Sequence, residues 1–256
     1  MGGNLVLSIS TLLGFVLTLV RIAGVFVFVP IPGVTAVAHP AKIMLTVGVS
    51  IALFPVWPQV TANPPVGLFA LWILLEAALG IGIGLAVGFV TDALALGAQV
   101  MGLQAGYSFA STVDPNTQAD STVLAVFSQL ASGMLFFATG LDRDVLHVFA
   151  RSLETCPPGT FLLGRNASEQ MVAMGSTIFS TGLRLALPMV AVLVMVDISL
   201  ALLGRVNAQL QLLHLAFPVK MMVGLMLLGW VLLMLPALFR TTASVTLGAA
   251  RGLIAR

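Results

Sequence analysis

The chain has 256 residues, of which 59% are hydrophobic and 8% are charged, and its formal net charge is +2. Soluble domains carry about 25% charged residues, and a soluble fold of this length could not remove so much apolar surface from water. The composition therefore predicts an integral membrane protein in contact with lipid. The small net charge does not favour nucleic-acid binding.

The first apolar run covers residues 5–29, is interrupted by Arg21, and ends at a Pro- and Gly-containing stretch. A membrane-spanning helix needs about 20 mostly apolar residues, so this run predicts a first spanning helix. It lacks a basic start and is longer than the apolar core of a signal peptide, so we interpret it as part of the mature protein. A second run, residues 43–57, follows Lys42 and is short for a full span.

The third apolar run, residues 66–109, contains two charged side chains, Glu76 and Asp92. As one straight helix, its roughly 44 residues would extend about 66 Å, twice the thickness of a hydrocarbon core. Two structures are compatible with this length: a hairpin, in which Thr91 and Asp92 cap a second helix, or one long helix that leaves the membrane. We expect the long helix, because no proline lies within the run.

The remaining sequence alternates between apolar runs and one polar stretch. The run at residues 123–141 holds no charge, whereas residues 142–169 are the most polar part of the chain and predict a short surface helix followed by a loop. A fifth run covers residues 171–203, and the last, residues 221–239, is charge-free and is followed by three arginines. This excess of arginine suggests a cytoplasmic C-terminus.

No catalytic or metal-binding motif occurs in the sequence. The single cysteine, Cys156, allows no intrachain disulfide, and the histidines, His39, His147 and His214, are far apart in sequence. A His-Glu-x-x-His helix, a Gly-x-Ser-x-Gly elbow and a phosphate-binding glycine loop are all missing. We therefore predict that the protein is not an enzyme and that it binds no cofactor or metal.

Three glycines, Gly80, Gly84 and Gly88, recur at a spacing of four in the third run. On a helix they lie on one face and allow another backbone to come close. We interpret them as a tight seam between helices or subunits. The alternative is that glycine is simply frequent, since the chain contains 25 of them.

Charged side chains in hydrophobic surroundings form a second set of candidate residues: Arg21, Glu76, Asp92, Arg184 and Asp197. Such charges are costly in a membrane and usually face protein or water. One interpretation is a secondary transporter or channel in which Asp197, Arg184 and Glu76 form an ion relay. We favour pairing between helices or subunits, for which Arg205 and Lys220 are further candidates. No pair of interrupted helices repeats in the two halves, as it does in inverted-repeat transporters.

A polar segment, residues 102–121, interrupts the apolar sequence near the middle of the chain. It is rich in Gly, Ser, Thr, Asn and Asp and contains no basic residue. Within it, Asp114-Pro115-Asn116 is a strong turn signal, because proline fixes φ and the flanking side chains bond to nearby backbone. Non-helical backbone persists at membrane depth only where protein or water satisfies it. The segment is therefore either a turn at the membrane surface or a filling for a lumen, and its composition does not decide between them.

The order of residues in this segment is similar to that of a known family. Residues 101–116, Met-Gly-Leu-Gln-Ala-Gly-Tyr-Ser-Phe-Ala-Ser-Thr-Val-Asp-Pro-Asn, closely resemble the mid-chain motif of the FliR family of flagellar export-gate subunits. Residues 21–42 and 202–224 resemble the N-terminal and C-terminal patterns of the same family, in the same order. The chain departs from the family's usual turn residues at Gln118, Ala208 and Ala216.

The resemblance implies an all-α subunit of long, kinked helices in the flagellar type III export gate, at the basal body in the bacterial inner membrane. In that family one copy joins five FliP and four FliQ subunits, with FlhB as a further partner and unfolded flagellar export substrates as cargo. The resemblance implies that residues 1–165 are FliP-like and that residues 166–256 form a FliQ-like helical hairpin with a C-terminal tail.

The resemblance also assigns a role to the mid-chain segment. Residues 106–121, called the plug segment below, are expected to lie in the lumen of the closed gate. The residues carried over to the plug are Gly106, Tyr107, Phe109, Asp114, Pro115 and Asn116.

Overall fold

The structure, a computed structural model, describes residues 8–30, 40–58, 60, 64–107, 123–161, 165–206 and 212–254. Its α-helices are α1 (Ile9–Phe28), α2 (Pro40–Ala52), α3 (Val66–Ala105), α4 (Val123–Ala138), α5 (Leu141–Thr155), α6 (Arg165–Val206) and α7 (Leu212–Ile254). A short 3₁₀ turn, Phe54–Val56, follows α2. The described residues contain no strand, so the predicted all-α class is confirmed.

The first two helices follow the sequence prediction. Helix α1 begins after Ser8, whose side-chain oxygen accepts a hydrogen bond from the Thr11 backbone N–H at 3.3 Å. This contact satisfies one of the N–H groups that a helix leaves open at its start. Helix α2 begins at Pro40, where proline suits the first turn, and its 13 residues are too few to cross a membrane.

Helix α3 is continuous over 40 residues, so the long-helix expectation is confirmed and the hairpin alternative is wrong. Thr91 and Asp92 lie inside the helix instead of capping a new one. The helix ends where Gly106 adopts a left-handed backbone conformation with a φ of 83°. The backbone N–H of Tyr107 then donates to the Gly102 carbonyl at 2.9 Å, which closes the last turn.

The C-terminal half contains a surface helix and two long helices. The predicted surface helix within the polar stretch is confirmed as α5, whose buried face includes Leu141, Val145 and Phe149. Helix α6 extends over 42 residues and α7 over 43. The charge-free run at residues 221–239 is therefore only the middle of α7. The helix continues to Ile254, and residues 240–254 contain no proline.

Four helical segments of the described residues are long and apolar enough to cross a membrane: Ile9–Phe28, Val66–Ala105, Ser168–Val206 and Ala216–Ile254. The shorter helices α2 and α4 are apolar but do not reach spanning length. Four segments of this length and composition agree with the predicted multi-pass membrane protein.

The chain divides into two compact units. The first consists of Met1–Phe89, Phe136–Met174 and Ala243–Arg256, and the second of Val90–Leu135 and Gly175–Thr242. In the first unit, Ala86 packs with Met174, Ala250 and Leu253. In the second, the missing side chain of Gly182 lets α6 approach α3, since a Cβ there would lie 2.8 Å from the Ala93 carbonyl oxygen. The expected division at residue 165 refers to likeness to other subunits and stays a prediction.

Glycines allow α1 and α3 to cross closely within the first unit. A Cβ added to Gly80 would collide with the Arg21 carbonyl oxygen, and one added to Gly84 would lie 2.8 Å from the Gly24 carbonyl oxygen. Both obstacles are backbone atoms, which cannot move aside without displacing a helix. A Cβ on Gly88 would meet only a side chain, at 3.4 Å. The close approach therefore depends on Gly80 and Gly84 more than on Gly88.

We expect alanine substitutions along this face to destabilise the protein in the order Gly80, Gly84, Gly88. Gly80→Ala forces the helices apart and should cost about 3 kcal/mol or more, at the upper end of the range for overpacking. The measurement is the temperature at which half of the detergent-purified protein has aggregated, monitored by size-exclusion chromatography of heated samples.

The matched control is Gly67→Ala in the same helix, where a Cβ would meet nothing within 4 Å. It should be neutral or slightly stabilising, by up to about 1 kcal/mol, because alanine is the better helix former. Equal midpoints for Gly80→Ala and Gly67→Ala would show that the two helices do not cross this closely.

Candidate functional site

A fully buried arginine joins three helices of the first unit. Arg21 on α1 is 1% exposed, and its Nε donates to Oε2 of Glu76 on α3, which is also 1% exposed. Its Nη1 donates to the Ser152 carbonyl at 2.7 Å, and its Nη2 donates to the Cys156 carbonyl at 2.8 Å. One guanidinium therefore contacts a carboxylate and the C-terminal end of α5 together.

The two carbonyl contacts explain why an arginine suits this position. Carbonyl groups at a helix C-terminus carry the negative end of the helix dipole, and several of them lack a donor within the helix. Helix α5 has no basic residue in its own last turn. Arg21 supplies that missing positive charge from α1, and its planar fork reaches several acceptors at once.

Other polar contacts surround this guanidinium. The Ser152 hydroxyl lies 3.2 Å from Arg21 Nη1 and donates to the Phe149 carbonyl at 2.6 Å. The Cys156 thiol lies 3.6 Å from the carbonyl oxygen of Ile254, near the end of α7. The second carboxylate oxygen of Glu76 is buried and has no hydrogen-bond partner among the described residues. A buried pair of this kind is costly to break from one side, because the remaining charge is left without compensation.

Lys42 makes the same kind of contact with the C-terminal end of α1, where it binds a backbone carbonyl. This side chain of α2, 8% exposed, donates from Nζ to the Val27 carbonyl in the last turn of α1 at 2.9 Å. Helix α1 has no basic residue of its own in that turn. Burial lowers the pKa of the Lys42 ammonium from its ordinary value.

A second cluster of polar contacts lies in the second unit, where α3 leads into the plug segment. Asp197 on α6 accepts from Lys220 Nζ of α7 at 2.9 Å and from Gln104 Nε2 of α3 at 3.2 Å. Three residues after Gln104, the Tyr107 hydroxyl donates to the Met221 carbonyl of α7 at 3.2 Å. These bonds tie the end of α3 to both α6 and α7.

The first residue of the plug segment is also closely packed against α7. Beside the left-handed Gly106, an added Cβ would lie 3.0 Å from the Phe217 ring, and one added to Gly224 would lie 3.0 Å from Ala105 Cβ. Of the plug residues named from the sequence, Gly106 and Tyr107 are described here. Phe109, Asp114, Pro115 and Asn116 lie outside the described residues.

The remaining charges named from the sequence are exposed: Asp92, Arg184 and Arg205. The structure thus brings together Arg21 with Glu76 and Asp197 with Lys220. Sequence reasoning named these four side chains but not their partners, and it missed Gln104 and the backbone carbonyls, which carry no signal in a hydropathy pattern. No group of three or more His, Cys, Asp or Glu side chains in the described part of the chain could hold a metal ion.

Comparison with known proteins extends over nearly the whole chain. The model of a protein family described as bacterial export proteins, family 1, matches residues 12–245. The flagellar biosynthetic protein FliR of Escherichia coli (strain K12) is 31% identical over 214 residues, which cover 82% of this chain and 81% of that protein. FliR of Pectobacterium carotovorum subsp. carotovorum is 29% identical over 85% of this chain and 83% of its own. FliR of Bacillus subtilis (strain 168) is 22% identical over 94% of each chain.

The role of Arg21 as a helix cap predicts a specific pattern of variant stabilities. Arg21→Gln should cost about 3–5 kcal/mol, as expected when one partner of a buried pair is removed. Arg21→Lys should restore little of this loss, because an ammonium cannot replace a fork that serves a carboxylate and two carbonyls. The measurement is the thermal midpoint of the detergent-purified protein.

Arg143→Gln is the matched control, since Arg143 is an exposed arginine of α5, and its effect should stay within about 0.5 kcal/mol. If Arg21→Lys were as stable as the unmodified chain, charge alone would account for the contact, and the capping role would be refuted.

Proposed function

The chain belongs to the bacterial export proteins, family 1, and from this premise we propose that it is a single-copy subunit of the flagellar type III export gate. Its relatives place it among the components of the flagellar export apparatus, and its four membrane-competent segments make it a multi-pass component. In the proposed assembly it joins five FliP and four FliQ subunits in the bacterial inner membrane, with FlhB as a further partner.

The distribution of apolar surface supports a place within a larger assembly. The most apolar windows of the segments Ser168–Val206 and Ala216–Ile254 are each 22% buried, compared with 56% for Val66–Ala105. On α7, Met226 is 82% exposed and Leu233 is 81% exposed. Apolar surface of this extent requires lipid or neighbouring subunits to cover it. A FliQ-like hairpin formed by α6 and α7 would pack against FliQ subunits in this way.

The observation that carries the proposed gating role is the anchoring of the plug segment at its first residues. Gly106 ends α3, and the Tyr107 hydroxyl donates to the Met221 carbonyl of α7. In the proposed closed gate, the segment extends from this fixed start into the lumen. Small and hydroxylated side chains in that place can fill a lumen without offering export substrates an apolar surface to adhere to.

The ion pair near the first residues of the plug segment is partly exposed, which is compatible with a segment that has to move. In the Asp197–Lys220 pair, the side chains are 42% and 20% exposed. An ion pair this accessible contributes about 0–1 kcal/mol. In the proposed gate, movement of the plug segment would therefore not be opposed by a strong ion pair beside its first residues.

The proposed role is structural and steric, not enzymatic. The residues named for an ion relay occupy contacts that serve the fold instead: Glu76 pairs with Arg21, and Asp197 pairs with Lys220. Arg184 is exposed on α6. No contact among the described residues favours the transporter interpretation over the export gate.

Deleting residues 114–116 from the plug segment should raise passive ion leak through the assembled complex. A shortened segment cannot fill the lumen, so the closed gate should conduct. The measurement is single-channel conductance of the purified complex in planar bilayers, after size-exclusion chromatography has shown that the complex is intact.

Replacing residues 114–116 by Gly-Ser-Gly is the matched control, because it removes the same side chains but keeps the length of the segment. Its leak should lie between those of the deletion and the unmodified complex. An intact complex whose conductance is unchanged by the deletion would sink the plug proposal.

A further inference from the structure

An open cavity of about 390 Å³ lies in the first compact unit, beside α5. Its walls are formed by side chains of α5 and of the end of α7: His147, Val148, Arg151, Thr155, Arg251 and Ile254. None of the contacts described above for the plug segment or for Arg21 uses the side chains that give this cavity its charge.

The cavity concentrates positive charge. His147 and Arg151 are one helical turn apart on the same stripe of α5, and Arg251 reaches the cavity from the last turn of α7. No acidic side chain belongs to the described lining, and neither arginine forms an ion pair with any residue that the structure describes. Two guanidinium groups therefore line one cavity, and no acidic side chain is among its described lining residues.

The surrounding contacts leave these arginines available. Two carbonyls at the C-terminal end of α5, those of Ser152 and Cys156, already bind Arg21. The Thr155 hydroxyl donates its proton to the Arg151 carbonyl at 2.9 Å, so Thr155 cannot donate to a ligand at the same time. Besides His147, the side chains of the cavity that can donate to a ligand are the two arginines, whose fork geometry matches the oxygens of a phosphate group.

We propose that this cavity binds the phosphate of an anionic phospholipid headgroup. The cavity lies at the end of α7, beyond the charge-free run that stops at Phe239, and basic pockets beside membrane helices suit such headgroups. The apolar side chains Val148 and Ile254 line the cavity beside the arginines. A lipid offers both chemistries, since its phosphate meets the arginines and its glycerol and first methylenes meet the apolar wall. Free phosphate offers only the first.

The test uses the complex purified after co-expression with its neighbouring export subunits. Detergent-washed complex is titrated with phosphatidylglycerol, phosphatidylcholine or inorganic phosphate, and bound ligand is counted by native mass spectrometry. The unmodified complex should bind phosphatidylglycerol in preference to phosphatidylcholine. The double variant R151Q/R251Q should bind phosphatidylglycerol about thirtyfold more weakly, from the usual effect of two basic side chains near a membrane surface.

The matched control is R143Q/R240Q, which removes one exposed arginine from each of the same two helices without touching the cavity. It should change phosphatidylglycerol binding by less than about threefold, and an equal loss in both double variants would overturn the proposal. Should R151Q/R251Q fail to assemble, the single variant Arg251→Gln serves in its place, with an expected loss of about fivefold.

The ligands separate the two sources of phosphate. Arginine-dependent binding of inorganic phosphate, without binding of phosphatidylglycerol, would retain the phosphate site but assign it to the free ion. Binding of phosphatidylglycerol that is unaffected by R151Q/R251Q would contradict the site altogether. The site would also be contradicted if the variant complex lost a protein subunit while its lipid content stayed unchanged. The arginines would then bind a protein partner.

Discussion

The guanidinium of Arg21 is the contact on which the first compact unit depends. It lies on α1, pairs with Glu76 of α3, and binds two carbonyls at the end of α5. Burial of this charge is tolerable because each of the three guanidinium nitrogens donates to an acceptor. The glycines of α3 serve the same arrangement, since the carbonyl of Arg21 itself lies where a side chain on Gly80 would be. The helix crossing, the ion pair and the helix cap thus all involve the same residue, Arg21.

The distribution of polarity in this chain is the reverse of that in a soluble protein. Arg21, Glu76 and Lys42 are buried, whereas Met226 and Leu233 are among many large apolar side chains left exposed. Such a surface is compatible with contact to lipid or to other proteins. Membership of the export family is consistent with both kinds of contact. The internal charges hold the helices of the first unit together, and much of the exterior that remains exposed is apolar.

Much of the fold could be predicted from the sequence, because hydrophobic length and the absence of proline are strong constraints. They predict α1 and the unbroken α3 correctly. The extent of α7 was less accessible, because hydropathy falls at Arg240 although nothing there ends a helix. Likewise, its place in an apolar run singled out Asp197, but only the packed structure shows that Lys220 is its partner.

The candidate site was predictable in part. The order of residues in the plug segment selected a family that composition alone could not select, and the family match extends from residue 12 to residue 245. What sequence could not supply were contacts that run through backbone atoms. The Ser152 and Cys156 carbonyls that bind Arg21 are of this kind, as is the Met221 carbonyl that binds Tyr107. Their side chains give no indication of the role.

The central claim is that this chain works as one subunit within a larger export gate. Native mass spectrometry of the tagged protein, co-expressed with its genetic neighbours and released gently from detergent, tests this most directly. The account predicts one copy of this chain per complex, together with two other small hydrophobic proteins in several copies each. A homo-oligomer of this chain that lacks both proteins, and that binds or moves a small solute alone, would contradict it.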